Sequence, residues 1–392
     1  MITSNEVNQE IIKDANSKKI LQLLCKENCL TKQEISKKLN ISIPTVTHNI
    51  NTLIDERIVK ESGTAKSTGG RKPVVVEFLP NSRCSIGVEL LNEKMRIVII
   101  NLKSEILVDK SIFISDIYDV DKVMVIANEN IEQILKEKSI DKKSLLGIGF
   151  SVPGTVDDQN KVLELAPNLS YKKIEFHKYE NLFDLEVYVE NEANASALAE
   201  CTLGIAKKMR NLVYVSINDG VGTGIVIKDH LYKGKNNRAG EFGHMTIFPE
   251  GKQCNCGKKG CWELYSSTKA LLSSYNDIAV NKVESVEKVF EAYLKKEDLA
   301  IKTIDNYVNY IAIGLQNIIL ILDPHYIVIG GYISEYGSYI IKEIKKKVYI
   351  KNQFYREKDN TILLSNLKGD SSVLGAALLP FQKVFYVSDK VI

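Results

Sequence analysis

The stretch Thr31-Lys32-Gln33-Glu34-Ile35-Ser36-Lys37-Lys38-Leu39, followed by Asn40-Ile41 and then Ser42-Ile43-Pro44-Thr45-Val46-Thr47-His48-Asn49-Ile50, holds two helix starts in close succession. Residues 31–34 form a capping box, in which the Thr hydroxyl accepts from the Glu34 amide while the carboxylate reaches back. Ser42 caps the next helix, and Pro44 sits in its first turn, where a missing N–H does no harm. Val46, Ile50, Leu53 and Ile54 make the buried stripe of that helix, and Ile20, Leu21, Leu23 and Leu24 give an earlier helix over 17–24. Two short helices, a tight turn and a third helix describe a helix-turn-helix, whose last helix enters the major groove. Thr45, Thr47, His48 and Asn49 are its outward set, polar enough to read base edges or hold phosphates. A three-helix packing module with a polar face has the same pattern.

The next segment of chain decides between them. Residues 56–62 read as a strand, 63–70 as a Gly/Ser/Thr/Lys loop, and Pro73-Val74-Val75-Val76-Glu77-Phe78 as a returning strand. This is a wing, and its tip and exit carry Lys66, Arg71 and Lys72, cations suited to phosphates or a minor groove. Residues 1–80 hold 12 Lys/Arg against 9 Asp/Glu, while the remainder is balanced at 40 against 40. The modest positive excess therefore sits in the segment that reads as a double-stranded DNA binder.

The 392 residues, 44% hydrophobic, exceed one ordinary core. Beyond the head, strands at 84–90, 96–101 and 106–114, a helix at 120–135 and a strand at 146–150 open one α/β lobe. A second lobe starts similarly at 212–217, with a glycine-rich turn at 218–224. The halves read as a duplicated unit around a small-molecule cleft. No apolar run reaches membrane-spanning length and no secretory leader is visible, which places the chain in the cytoplasm with no membrane partner.

Seven cysteines are present, three of them within eight residues. His244, Cys254, Cys256 and Cys261 can close around one ion; three thiolates and an imidazole suit tetrahedral zinc, with Gly257 and Gly260 permitting sharp turns. A complete four-ligand set implies a structural ion.

Gly69-Gly70-Arg71-Lys72-Pro73, Val152-Pro153-Gly154, 190–195, 220–224, the Glu241-to-Glu263 segment, Ile327-Val328-Ile329-Gly330-Gly331 and Leu374-Gly375-Ala376-Ala377 together resemble the ROK family of sugar-responsive repressors and sugar kinases, most of all its xylose-repressor branch. The resemblance spans nearly the whole chain. It implies a winged helix-turn-helix at 1–80 followed by a two-lobed actin-like, sugar-kinase-like (ribonuclease-H-like) body. The lobes would be 81–190 and 191–370, with a C-terminal helix at 371–392 packing back on the first. It further implies that Glu241, His244 and Glu263 contact a monosaccharide from the zinc side, Asn191 and Glu192 from the lobe junction, and Asn168 from its loop.

Active kinases of the family carry an Asp-x-Gly-x-Thr type turn where this chain has Glu89-Leu90-Leu91-Asn92-Glu93-Lys94, and Asn-Asp where it has Asn191-Glu192. Both departures argue against phosphate binding and catalysis, although the turn at 220–224 survives. The expectation is a homodimer, or a dimer of dimers, on a palindromic operator, released by a sugar such as xylose. An ATP-dependent sugar kinase is the alternative.

Overall fold

The computed structural model describes residues 4–64, 74–114, 119–350 and 354–385. In the head, α1 (Ser4–Glu27), β1 (Cys29–Thr31), α2 (Lys32–Leu39) and α3 (Ile43–Asp55) precede a hairpin of β2 (Val59–Thr64) and β3 (Val74–Phe78). The capping box forms as the sequence requires: Glu34 N donates to Thr31 Oγ1 at 3.2 Å and Thr31 N to Glu34 Oε2 at 2.7 Å. Such a cap contributes about 1 kcal/mol. Ser42 accepts from Thr45 N at 3.3 Å, starting α3 at the expected residue. Two features differ from the sequence reading. The first helix begins at Ser4 instead of 17, because nothing between them breaks a helix, and β1 adds a third strand by pairing with β3. Lys66, Arg71 and Lys72 lie outside the described residues.

The first lobe runs β4 (Cys84–Leu90), β5 (Lys94–Asn101), β6 (Ile106–Phe113), α4 (Val120–Glu137), β7 (Leu145–Val152), β8 (Thr155–Asp157), β9 (Val162–Ala166), β10 (Tyr171–Glu175), α5 (Glu180–Phe183), β11 (Val187–Asn191) and α6 (Glu192–Thr202). The second runs β12 (Asn211–Ile217), β13 (Val221–Ile227), β14 (His230–Leu231), α7 (Glu263–Ser266), α8 (Thr268–Asn276), α9 (Val286–Leu294), α10 (Asp298–Leu322), β15 (Tyr326–Gly330), α11 (Gly337–Val348) and β16 (Thr361–Leu364). Their sheets, ordered β11-β7-β4-β5-β6 and β14-β13-β12-β15-β16, share one plan: an antiparallel meander followed by two parallel strands. The duplication read from sequence is a real repeat of topology.

The chain returns through α12 (Ser371–Leu378) and α13 (Gln382–Phe385). Every residue of α12 is buried, and so are residues 193–201 of α6. The two helices meet backbone to backbone: a Cβ added at Gly375 would lie 1.9 Å from Ala195 O, and one at Gly149 of β7 would lie 2.0 Å from Ala376 O. At the far end of α6 the fully buried Glu200 accepts from Ile205 N at 3.0 Å and from Ser371 Oγ at 3.2 Å, so both helices are tied at that end as well.

Head and body share one apolar core, in which Leu24 and Phe78 of the head join Ile100 of the first sheet, Leu102 just after it, and Leu378 and Phe381 of the C-terminal segment. Swinging the head away would expose these side chains at a cost of about 1.5–3 kcal/mol each. Polar contacts run along the same seam, from Gln22 Nε2 to Phe385 O (2.6 Å), from Arg83 Nη2 to Glu56 O (2.7 Å), and from Leu102 N to Pro80 O (3.0 Å). The head is thus mounted on the C-terminal segment and the first sheet.

Candidate functional site

The segment from β14 to α7 has little regular structure and is shaped by glycines and thiols. Gly257 and Gly260 both take positive φ (+91 and +70), and a Cβ at Gly260 would lie 1.5 Å from Phe248 O. The resulting knuckle gathers one donor atom each from His244, Cys254, Cys256 and Cys261 within 4.8 Å of one another. Cys254 Sγ is 3.6 Å from His244 Nδ1, and Cys256 Sγ is 3.6 Å from Cys261 Sγ. All seven cysteines are free thiols, so no cross-link accounts for this clustering. Burial pushes the Cys254 and Cys261 thiols up, and a cation would hold them as thiolates. The donor set fits a tetrahedral ion of the zinc type.

His244 belongs to two sets at once. Its Nδ1 faces the thiols, while Nε2 lies 4.0 Å from Glu241 Oε2. A metal on Nδ1 would leave the proton on Nε2, aimed as a donor at the cleft. Glu263 Oε1 lies 3.3 Å from His244 Nδ1, and its Oε2 shares the space over Gly220 with the Asn168 amide, at 3.1 and 3.4 Å from where a Gly220 Cβ would stand. Glu241, His244, Glu263 and Asn168 therefore converge from both lobes. Burial pushes the Glu241 carboxyl up, offset in part by His244.

Glu192 opens α6 at the lobe junction. Its Oε1 accepts from Ser216 Oγ (2.7 Å) and Asn218 Nδ2 (3.3 Å), both from the second lobe. Burial moves its carboxyl up to about 7, and nearby Glu89 adds to the shift. Asn191 is already engaged: its Oδ1 caps α6 through Ala193 N and Asn194 N, and its Nδ2 donates to Gly154 O at 2.8 Å. Glu89, at the end of β4, is 7% exposed, with its carboxyl also raised by burial. The turn after it is a plain hairpin, closed by Leu91 N to Lys94 O at 2.9 Å.

On α3, Thr45, Thr47 and His48 reach the surface, but Asn49 does not, which corrects the sequence assignment. Asn49 is 2% exposed and donates from Nδ2 to Thr45 O at 2.8 Å. The signal was available, since position 49 falls between Val46, Ile50 and Leu53 on the buried stripe. Asn51, exposed on the opposite face with Ile43 and Pro44, takes its place as a candidate contact.

Sequence reasoning also missed Ser216 and Asn218, which hold Glu192, and Asn255, which donates from Nδ2 to Asn168 Oδ1 at 2.7 Å across the lobes. A serine inside a strand, as Ser216 is in β12, and asparagines in turns carry no distinctive pattern, so only the fold reveals these roles.

Comparison with known proteins agrees with this architecture. The ROK family model matches residues 85–383, and a model described as winged helix-turn-helix DNA-binding matches residues 13–60. The xylose repressor of Bacillus spizizenii is 31% identical over 371 residues, covering 94% of this chain and 95% of its own length. A crystal structure of a ROK family transcriptional regulator, a homologue of the E. coli MLC protein, matches with TM-score 0.81 at 24% identity, over 96% of this chain and 97% of that one. A ROK family glucokinase from Streptomyces griseus, in complex with glucose and AMPPNP, matches with TM-score 0.66 at 25% identity, over 76% of this chain and 98% of its own. With the family model spanning both lobes and a relative aligned almost end to end, the chain belongs to the ROK family.

Proposed function

We propose that the protein is a sugar-responsive transcriptional repressor of carbohydrate-utilisation genes, working in the cytoplasm as a homodimer or dimer of dimers on a palindromic operator. One observation carries the reading: the polar set that converges from both lobes is joined through α6 and α12 to the helices on which the DNA-binding head is mounted. Glu241, His244, Glu263, Asn168 and Glu192 take the hydroxyls of a monosaccharide, pairing acceptors with vicinal O–H groups. Asn191 contributes through the N–H it does not spend on Gly154. Zinc held by His244, Cys254, Cys256 and Cys261 is structural and fixes the imidazole that faces the sugar.

Xylose is the first effector to test, because a relative that aligns over nearly its full length is a xylose repressor. Sugar binding favours a closed body; the change reaches the head through α6, α12, α13 and α1, and its size is bounded by the sugar's preference for one state. Thr45, Thr47, His48 and Asn51 on α3, with Lys66, Arg71 and Lys72 from the stretch of sequence between β2 and β3, make the DNA contacts.

Phosphotransfer is absent in this reading. Glu93 adds a carboxylate where a kinase of the family carries a threonine beside the triphosphate, and the hairpin from Glu89 to Lys94 lacks the glycines that cradle phosphate. The test is a thermal-shift screen of the purified protein with monosaccharides and with ATP, paired with operator mobility shifts. A sugar at about 100 times its Kd adds about 2.7 kcal/mol of stability and should release the DNA. Stabilisation by ATP with sugar-dependent ADP formation would support the kinase instead.

A further inference from the structure

Lys233 belongs neither to the metal knuckle nor to the sugar-facing set. It follows β14 and opens the second-lobe loop that ends at Glu241 and His244, and its carbonyl accepts from Ala239 N at 3.0 Å, which stiffens that loop. Its ammonium crosses to the first lobe, 2.5 Å from Glu190 Oε2 on β11 and 2.8 Å from Asp158 Oδ2 just beyond β8. The Glu190 side chain is 3% exposed and that of Lys233 19%. The other Glu190 oxygen is spent on Asn191 N (2.8 Å) and Asn194 Nδ2 (3.2 Å), so Lys233 supplies the charge that a carboxylate at this depth needs. Glu190 is followed directly by Asn191 and Glu192, and the Lys233 loop terminates at Glu241. The ion pair therefore joins the two chain segments that bring sugar-facing carboxylates from opposite lobes.

We propose that Lys233 is a positioning residue for the effector: its bridge to Glu190 and Asp158 fixes the Glu241 loop against β11, and so sets the separation of the carboxylates that take the sugar. This rests on the sugar-sensor reading above. Lys233 touches no sugar in this scheme. It holds the two halves of the site in register beforehand, which lowers the ordering cost of binding.

The test uses the full-length, zinc-loaded protein and calorimetric titration with D-xylose, then D-glucose. Lys233→Met alone would strand a buried carboxylate, so the informative variant is Lys233→Met with Glu190→Gln, which removes both charges together. It is expected to melt within about 5 °C of the unmodified protein and to bind the sugar at least about tenfold more weakly. Lys233→Arg, which keeps the charge, should stay within about threefold. A double variant that folds, keeps its metal and binds as tightly as the parent overturns the proposal. Should that variant not fold, Asp158→Asn decides, because it removes only the more exposed partner: about threefold weaker binding supports the bridge, and unchanged binding overturns it. Parent protein that binds no monosaccharide overturns the sugar reading and this inference together, an outcome distinct from equal binding by parent and variant.

Discussion

Asn255, held between two knuckle cysteines of the second lobe, donates to Asn168 Oδ1 of the first lobe at 2.7 Å. The candidate metal knuckle thereby reaches across the cleft to a residue of the proposed sugar site. With zinc bound there as proposed, its removal should free the knuckle, and with it both Asn168 and His244. A strong chelator, or Cys256→Ser, should lower the melting temperature and weaken sugar binding at least about tenfold, corresponding to roughly 1.4 kcal/mol. Metal analysis should find one zinc per chain before treatment. Chelated protein that binds sugar with undiminished affinity would show that the knuckle does not support the site.

Glu192 titrates near 7 in the folded chain because burial disfavours its charged form. A carboxyl whose folded value lies above its unfolded 4.5 binds more protons folded than unfolded between those two values, so stability falls as pH rises from about 4.5 to about 7. At 1.36 kcal/mol per pKa unit the loss is at most about 3 kcal/mol by pH 8. Glu192→Gln should therefore raise the melting temperature at pH 8, leave it little changed at pH 5, and weaken sugar binding. Equal melting curves for parent and variant at pH 8 would remove the strained carboxylate from the account.

The recognition helix separates structural from contacting residues. Thr47→Ala and Asn51→Ala are each expected to weaken specific operator binding by about 1–3 kcal/mol, or roughly 5- to 150-fold, if they meet base edges. Asn49→Ala removes a buried bond to Thr45 O and should cost about 1 kcal/mol of head stability instead. Mobility shifts against specific and scrambled DNA, with melting curves alongside, distinguish the two effects; an Asn49 variant that melts normally but loses sequence preference would restore the sequence assignment.

Gly375 lets α12 touch α6 with no side chain between them. Gly375→Val would force the helices apart, and we expect a loss of several kcal/mol from overpacking. Any folded fraction should still take up sugar yet fail to release DNA. Normal release by a folded Gly375→Val protein would exclude α12 as the link between effector and head.

Much of this protein was legible before folding was considered. The capping box at Thr31, the Ser42 cap and Pro44 fixed two helix starts to the residue, because capping is local chemistry between neighbours. His244 and the three cysteines announced, by spacing and donor type alone, a cluster that could hold a metal ion. Only the tertiary structure decided the rest. It buried Asn49, committed Asn191 to capping α6, and placed Lys233 against Glu190 although the two lie 43 residues apart. It also made the head, the first sheet and the C-terminal helices one core. These are relations between distant segments that have no sequence period, and they arise only when both lobes close on α6 and α12 and each buried polar group must find a partner.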